Sequence, residues 1–260
     1  MILRPYYEDA GIVIYHGDAR ELLPQIGAAD HLITDPPYSE HVHTKARSAK
    51  GAAEGKIDQA YALGFASVDD ALRAAILGYA ASQVARWSLV FSDVESCHLW
   101  RDQFPLDYVR TMFWHRLGGA PQFTGDRPAA ACEAITVLHP PTRKRWNGGG
   151  KQGFYATPIA QVRGGSGTEF RAHTTQKPEQ LMAQLIADFT DVGDLIVDPC
   201  MGSGTTLAVA RRMGRRAIGI DLEATHCATA VARLAQCGLF DAWTDADARE
   251  ALELSPQVQA

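Results

Sequence analysis

Two short runs of this sequence combine residue types that could do chemistry. The first is Asp35-Pro36-Pro37-Tyr38, which ends the apolar run HLIT. A carboxylate, a rigid bend and an aromatic ring follow one another, and the prolines limit how far the acid can stray. The bland alternative is a strand-ending turn with Tyr38 as a core aromatic. The second run is Asp198-Pro199-Cys200-Met201-Gly202-Ser203-Gly204-Thr205, inside DLIVDPCMGSGTTLAVARRMGRRAIGID. Its pattern predicts a strand ending at Asp198, a glycine turn, a helix opening at Thr205 and a second strand ending at Asp221. Glycines let a backbone approach a ligand, and a helix N-terminus offers unpaired N–H groups. An acid closing the next strand suits a ribose diol. A tight turn can occur in any α/β protein, but strand, turn, helix, strand and acid in this order point to a nucleoside cofactor. The run is not GxGxxG, and Lys151 in GGGKQG lacks the following Ser or Thr of a phosphate-cradling loop. A nucleoside without a pyrophosphate therefore fits better than NAD or ATP.

These residues need strands and helices to hold them. Strand-like runs are GIVIYHGD, HLITD, WSLVFSD, YVRTMFWH, CEAITVLH, DLIVDP and RAIGID. Several end on an acid or a turn residue, as strands do in an open parallel sheet with ligands at its carboxyl ends. Between them, KPEQLMAQLIADF places Leu181, Met182, Leu185, Ile186 and Phe189 on one helical face. DDALRAAILGYAASQVAR and EATHCATAVARLAQC are further amphipathic candidates. The alternation argues for an α/β layered fold. Residues 39–62 and 140–172 follow neither period, and loops of that length are usually functional or mobile.

Composition narrows the classes. A chain of 260 residues, 46% hydrophobic and 21% charged, suits one large soluble domain. The opening residues lack a signal-peptide pattern and no long apolar run occurs, so no membrane is expected. Five cysteines without a CxxC pair suggest reduced thiols and a cytoplasmic location. A net charge of −5 argues mildly against a nucleic-acid partner. Between Pro141 and Lys177, however, seven Lys and Arg residues face one acid, Glu169. A solvated loop could also collect that charge.

With both runs in hand, the chain resembles the S-adenosylmethionine-dependent amino-methyltransferases of DNA. The family's [DNS]-P-P-[YFW] signature is Asp35 to Tyr38, and its D-P-F-x-G-[ST]-G-T loop is Asp198 to Thr205. A Q-K-P element before a helix is Gln176-Lys177-Pro178, and the strand-end acid is Asp221 in GIDLE. The order, with DPPY before the cofactor loop, is similar to the permuted β-type. The resemblance spans nearly the whole chain. It implies a Rossmann-like, three-layer αβα fold with a mostly parallel sheet and one antiparallel strand. It also implies a single domain over 1–260, with a mobile loop at about 39–62 and a target-recognition segment at about 116–172. S-adenosylmethionine is the implied cofactor and double-stranded DNA the implied partner. Relatives of this order lean toward a homodimer.

The resemblance assigns roles by position. Asp18 and Ala19 would sit near the cofactor's adenine, with Asp18 accepting from its amino group. Asp221 would hold the ribose hydroxyls. Asp35, Asp198, Cys200, Gly202, Ser203, Gly204 and Thr205 would line the rest of the cofactor, with Thr175 and Lys177 closing over its methionine portion. Cys200 stands where the family usually has Phe. It lies in Pro199-Cys200, a dipeptide that carbon-5 cytosine enzymes use as a nucleophile, but here a thiol would face the methyl donor and reads as a packing residue. At the DPPY corner, an exocyclic amine is a poor nucleophile because its lone pair is delocalised into the base. The Asp35 carboxylate and the Pro36 carbonyl would draw its hydrogens out of plane, Pro37 would stiffen the bend, and Tyr38 would stack on a flipped base.

Target contacts are expected from His41, His43, Lys45 and Arg47 after the motif. Others are expected from Arg143, Lys144, Arg145, Trp146 and Lys151, through phosphate neutralisation, a Trp wedge or Arg–guanine pairing. The HxH of His41 and His43 lacks a third ligand at metal spacing, so no metal is expected. Asp at the first motif position leans toward adenine N6. Cytosine N4 is the alternative, ahead of RNA methylation or a non-catalytic nucleoside-binding module.

Overall fold

The computed structural model describes residues 3–37, 69–101, 106–118, 125–159, 176–236 and 243–250. Tyr38, His41, His43, Lys45, Arg47 and Thr175 lie outside them, as do the 39–62 loop and parts of the 116–172 segment. All seven strand-like runs form strands: β2 (Ile12–His16), β3 (His31–Thr34), β4 (Ser88–Ser92), β5 (Asp107–Leu117), β6 (Cys132–His139), β8 (Leu195–Asp198) and β9 (Arg216–Asp221). Two more strands, β1 (Tyr7–Asp9) and β7 (Phe154–Pro158), complete one nine-stranded sheet in the order β1-β2-β9-β8-β3-β4-β6-β5-β7. The run from β2 to β4 is parallel. β6 is antiparallel to its neighbours β4 and β5, as expected of one strand. β1 is a second antiparallel strand, on the edge against β2.

Helices cover both faces. α1 (Ala19–Leu22), a following 3₁₀ turn (Leu23–Gln25), α2 (Asp70–Gln83) and the short α3 (His98–Arg101) contribute to one core. α4 (Glu179–Phe189), α5 (Thr205–Arg212), α6 (Ala224–Gln236) and α7 (Asp245–Glu250) contribute to the other. Alternation along the strands serves both cores. Leu32, Val90, Val197 and Ile220 face the first, while Ile33, Leu89, Phe91 and Ile196 face the second. Burial of both faces explains why these strands read as continuous apolar runs. Each fully buried Leu or Ile contributes about 1.5–3 kcal/mol, so the central strands are a firm mount for the residues that follow them. Among the described residues, no helix is long and apolar enough to cross a membrane.

Candidate active site

Parallel strands put their carboxyl ends on one edge, and that edge collects acids. Asp221 ends β9, Asp198 ends β8, Asp35 follows β3, Asp93 follows β4, and Asp18 lies two residues after β2. The chain leaves β8 through α5 toward β9 on one side, while β3 and β4 lie on the other. The boundary between β8 and β3 is therefore a topological switch point, where open α/β sheets bind ligands.

The loop after β8 is shaped by its glycines. Gly202 and Gly204 have φ of 52° and 75°, and Gly204 is the N-cap of α5. A Cβ on Gly204 would stand 2.7 Å from the Ala230 Cβ on α6, so this turn needs glycine for both conformation and space. The Asp221 carboxylate accepts from the backbone N–H of Gly202 at 2.9 Å and of Glu223 at 2.9 Å, and meets His226 Nδ1 at 3.0 Å. The strand-end acid and the glycine turn thus form one unit. Asp18 caps α1 through the Arg20 N–H and also takes the Arg20 guanidinium, whose Nη1 continues to Asp69 at 3.0 Å. Hydrogen bonding by the Arg20 side chain holds the Asp18 carboxyl below its usual range.

Asp198 is buried and accepts from Thr34 Oγ1 at 2.9 Å and from Cys200 N–H at 3.2 Å. Desolvation outweighs these donors and, with the nearby Asp35 charge, pushes its pKa up to about 7. Burial and the carboxylates of Asp198, Asp221 and Asp35 push the Cys200 thiol well above its usual value. That suits a packing residue and not a thiolate nucleophile.

Asp35 receives Lys177 Nζ on Oδ2 at 2.5 Å, and the same ammonium lies 3.1 Å from Glu133 Oε2. Lys177 precedes α4, reaches over the ring of Phe91 at 5.1 Å and lies 5.9 Å from that of Trp114. Burial alone would lower its pKa, but Asp35 and Glu133 together raise it, so it is a cation. Glu133 and Thr34 are the site-edge residues that sequence reasoning missed. An acid inside the apolar strand CEAITVLH and a hydroxyl beside Asp35 were the available signals.

The basic run falls elsewhere. Because β6 is antiparallel, its last residue, His139, lies near the amino end of β4, and the chain after it runs along the amino edge of the sheet. There Lys144 pairs with Asp107 at 2.6 Å, Arg145 with Asp191 at 3.2 Å and Lys151 with Asp188 at 2.5 Å. Trp146 packs edge-on against Phe189, with ring centroids 4.7 Å apart. Arg143 is exposed in the same stretch. Geometry puts these residues at the opposite edge of the sheet from Asp35. Asp35, Pro36, Lys177, Asp198 and the Gly202–Gly204 turn share the carboxyl edge.

Comparison with known proteins agrees with this geometry. Residues 29–232 match the model of the N6/N4 family described as DNA methylase. A Type II methyltransferase of Lactococcus lactis subsp. cremoris, M2.LlaDCHI, is 26% identical over 90% of this chain and 93% of its own length. M2.DpnII, a Type II methyltransferase of Streptococcus pneumoniae, is 53% identical over a shorter stretch, 24% of this chain and 23% of that protein. Among solved structures, the M1.HpyAVI–SAM complex aligns with a TM-score of 0.63 at 24% identity, covering 86% of this chain and 98% of that one. The cytosine-N4-specific PvuII DNA methyltransferase aligns with a TM-score of 0.66 at 15% identity, covering 96% of this chain and 94% of that one.

Proposed function

Because the chain belongs to the DNA methylase family, we propose that it transfers a methyl group from S-adenosylmethionine to the exocyclic N6 of an adenine flipped out of double-stranded DNA, at a specific site. The observation that carries this reading is the adjacency of Asp35 and the Asp198 loop at the switch point, with Lys177 on Asp35 Oδ2. The cofactor, when bound, supplies an electrophilic methyl group on a sulfonium cation. The donor set suits it. Asp35 and Asp221 offer negative charge to the cation, Asp198 can ionise beside it, and an added Cβ on Gly202 would meet nothing within 4 Å, so the turn is open to a close approach there. Asp221 would take the ribose, and Asp18 with Ala19 the adenine. Cys200, Ser203, Thr205, Thr175 and Lys177 would border the methionine portion.

On the target side, Asp35 and the Pro36 carbonyl accept the amino hydrogens and leave the nitrogen lone pair directed at the methyl group. Tyr38 stacks on the base. His41, His43, Lys45 and Arg47 follow the motif closely enough to meet the flanking strand. The adenine choice rests on Asp at the first motif position.

The test is nucleoside mass spectrometry on unmethylated genomic DNA incubated with the protein and S-adenosylmethionine. N6-methyladenine is the expected product. N4-methylcytosine would keep the mechanism and overturn the base. The absence of both products would overturn the reading.

A further inference from the structure

We propose that Glu133 is a positioning residue for methyl transfer, anchoring the Lys177 ammonium so that this cation holds the Asp35 carboxylate in its working orientation. The inference rests on Asp35 being the residue that meets the target amine. It begins from three strands and a loop converging on one ammonium. Asp35 follows β3, Glu133 lies in β6, Phe91 lies in β4, and Lys177 enters from the segment before α4.

A lysine carries four rotatable side-chain bonds, and ordering it costs up to about 2 kcal/mol. A single carboxylate could hold the ammonium in several poses. A second carboxylate at 3.1 Å and the Phe91 ring at 5.1 Å leave little room for them. Glu133 is itself braced, since Arg116 Nη1 lies 3.4 Å from its other oxygen, Oε1. Lys177 on Asp35 Oδ2 then fixes the rotation of that carboxylate and hence the direction of Oδ1. The second acid has another effect. A lone Lys177–Asp35 pair would be neutral, whereas Glu133 shares the cation and leaves Asp35 a stronger acceptor. An ionised carboxylate only accepts hydrogen bonds, which is the role the amine requires of it.

The test compares Glu133→Gln, Glu133→Asp, Lys177→Met, the Glu133→Gln/Lys177→Met double variant and Asp35→Ala at saturating cofactor and DNA. Glu133→Gln keeps shape and removes charge. Its kcat should fall roughly 10- to 100-fold while both KM values stay within about threefold, as misorientation of a reacting group predicts. Glu133→Asp, with the charge retained, should recover part of that loss. The double variant should turn over no more slowly than Lys177→Met alone, because Glu133 acts through Lys177.

Multiplying losses in the double variant, or wild-type kcat in Glu133→Gln, would overturn the inference. If Glu133→Gln fails to bind cofactor by calorimetry, Glu133→Asp decides. A reduced kcat at unchanged KM supports the role, and a wild-type kcat removes it. Asp35→Ala separates the two levels. An active Asp35→Ala sinks the assignment of Asp35, whereas an inactive Asp35→Ala beside a fully active Glu133→Gln sinks only the role of Glu133.

Discussion

The two edges of the central sheet are both rich in acids, and they treat them differently. At the amino edge, cations answer the carboxylates. Arg86 Nη1 bridges Asp191 at 2.9 Å and Asp194 at 2.8 Å, and Lys151 meets the fully buried Asp188, while His31, whose pKa burial lowers, adds a hydrogen bond from Nε2 to Asp194 at 2.9 Å. At the carboxyl edge, Asp198 and Asp221 are answered largely by hydroxyl and backbone N–H donors, which stabilise a carboxylate without cancelling its charge. The pKa directions follow. Asp194 is burdened by burial, yet the His31 bond, the Asp191 N–H and Arg86 bring its carboxyl below the usual value. Asp198 stays well above it. An edge neutralised by its own side chains closes the fold. An edge where a buried acid, Asp198, is met only by hydroxyl and N–H donors and still holds a proton below about pH 7 can ionise when a cationic ligand arrives.

Substitutions at the two edges should therefore fail in different ways. The largest effect is expected from Asp35→Ala. Turnover should drop by at least roughly 10³-fold, as when a preorganised group at the reacting atoms is removed, with cofactor affinity within a few-fold. Kinetics paired with cofactor calorimetry checks it, and an active variant would take Asp35 out of the chemistry. At the other edge, Arg86→Met removes the cation shared by Asp191 and Asp194. It should lower unfolding stability by about 2 kcal/mol, below the cost of breaking a fully buried pair because these groups are partly exposed. Its turnover per folded molecule should not change. A variant with intact stability and impaired turnover would erase the division between the edges. Asp221→Ala lies between these extremes. It should weaken cofactor binding by about 1–3 kcal/mol through lost hydrogen bonds and loosen the Gly202 turn it now fixes. Unchanged affinity would remove Asp221 from the site.

How much of this was legible beforehand depended on what each residue's position requires. Strands buried on both faces, such as LIVD and SLVFS, announce themselves because nearly every position must be apolar. β1 and β7 do not. Tyr7–Asp9 has no buried position, and Phe154–Pro158 buries only Tyr155 and Thr157 and ends in proline. Pairing with β2 and β5 makes them strands, and no local pattern encodes that. The acids at Asp35, Asp198 and Asp221 were legible because a charged residue closing an apolar run has few reasons to be there. The basic run from Arg143 to Lys151 was legible as charge but not as location. The direction of β6 decides which edge it reaches, and direction is a property of the sheet and not of the run. Glu133 and Thr34 escaped notice because each matters through a partner distant in sequence, Lys177 in one case and Asp198 in the other.

The smallest predicted effect separates the edges most cleanly, because it counts protons. Folding raises the Asp198 pKa from the ordinary 3.8 to about 7. Between those pH values the folded protein holds a proton that the unfolded chain has released. Stability contributed by this group therefore falls as pH rises from about 4 to 7 and is level beyond, the reverse of an acid in a salt bridge such as Asp194. A sulfonium cation arriving beside Asp198 favours the ionised carboxylate, so binding near pH 6.5 should expel part of a proton. Calorimetry of S-adenosylmethionine binding in two buffers with different ionisation enthalpies measures that release directly. A buffer-dependent enthalpy in the wild type that vanishes in Asp198→Asn is the expected result. An enthalpy independent of buffer would mean that Asp198 is already ionised in the free protein, and the contrast between a neutralised and a ligand-ready edge would lose its sharpest sign.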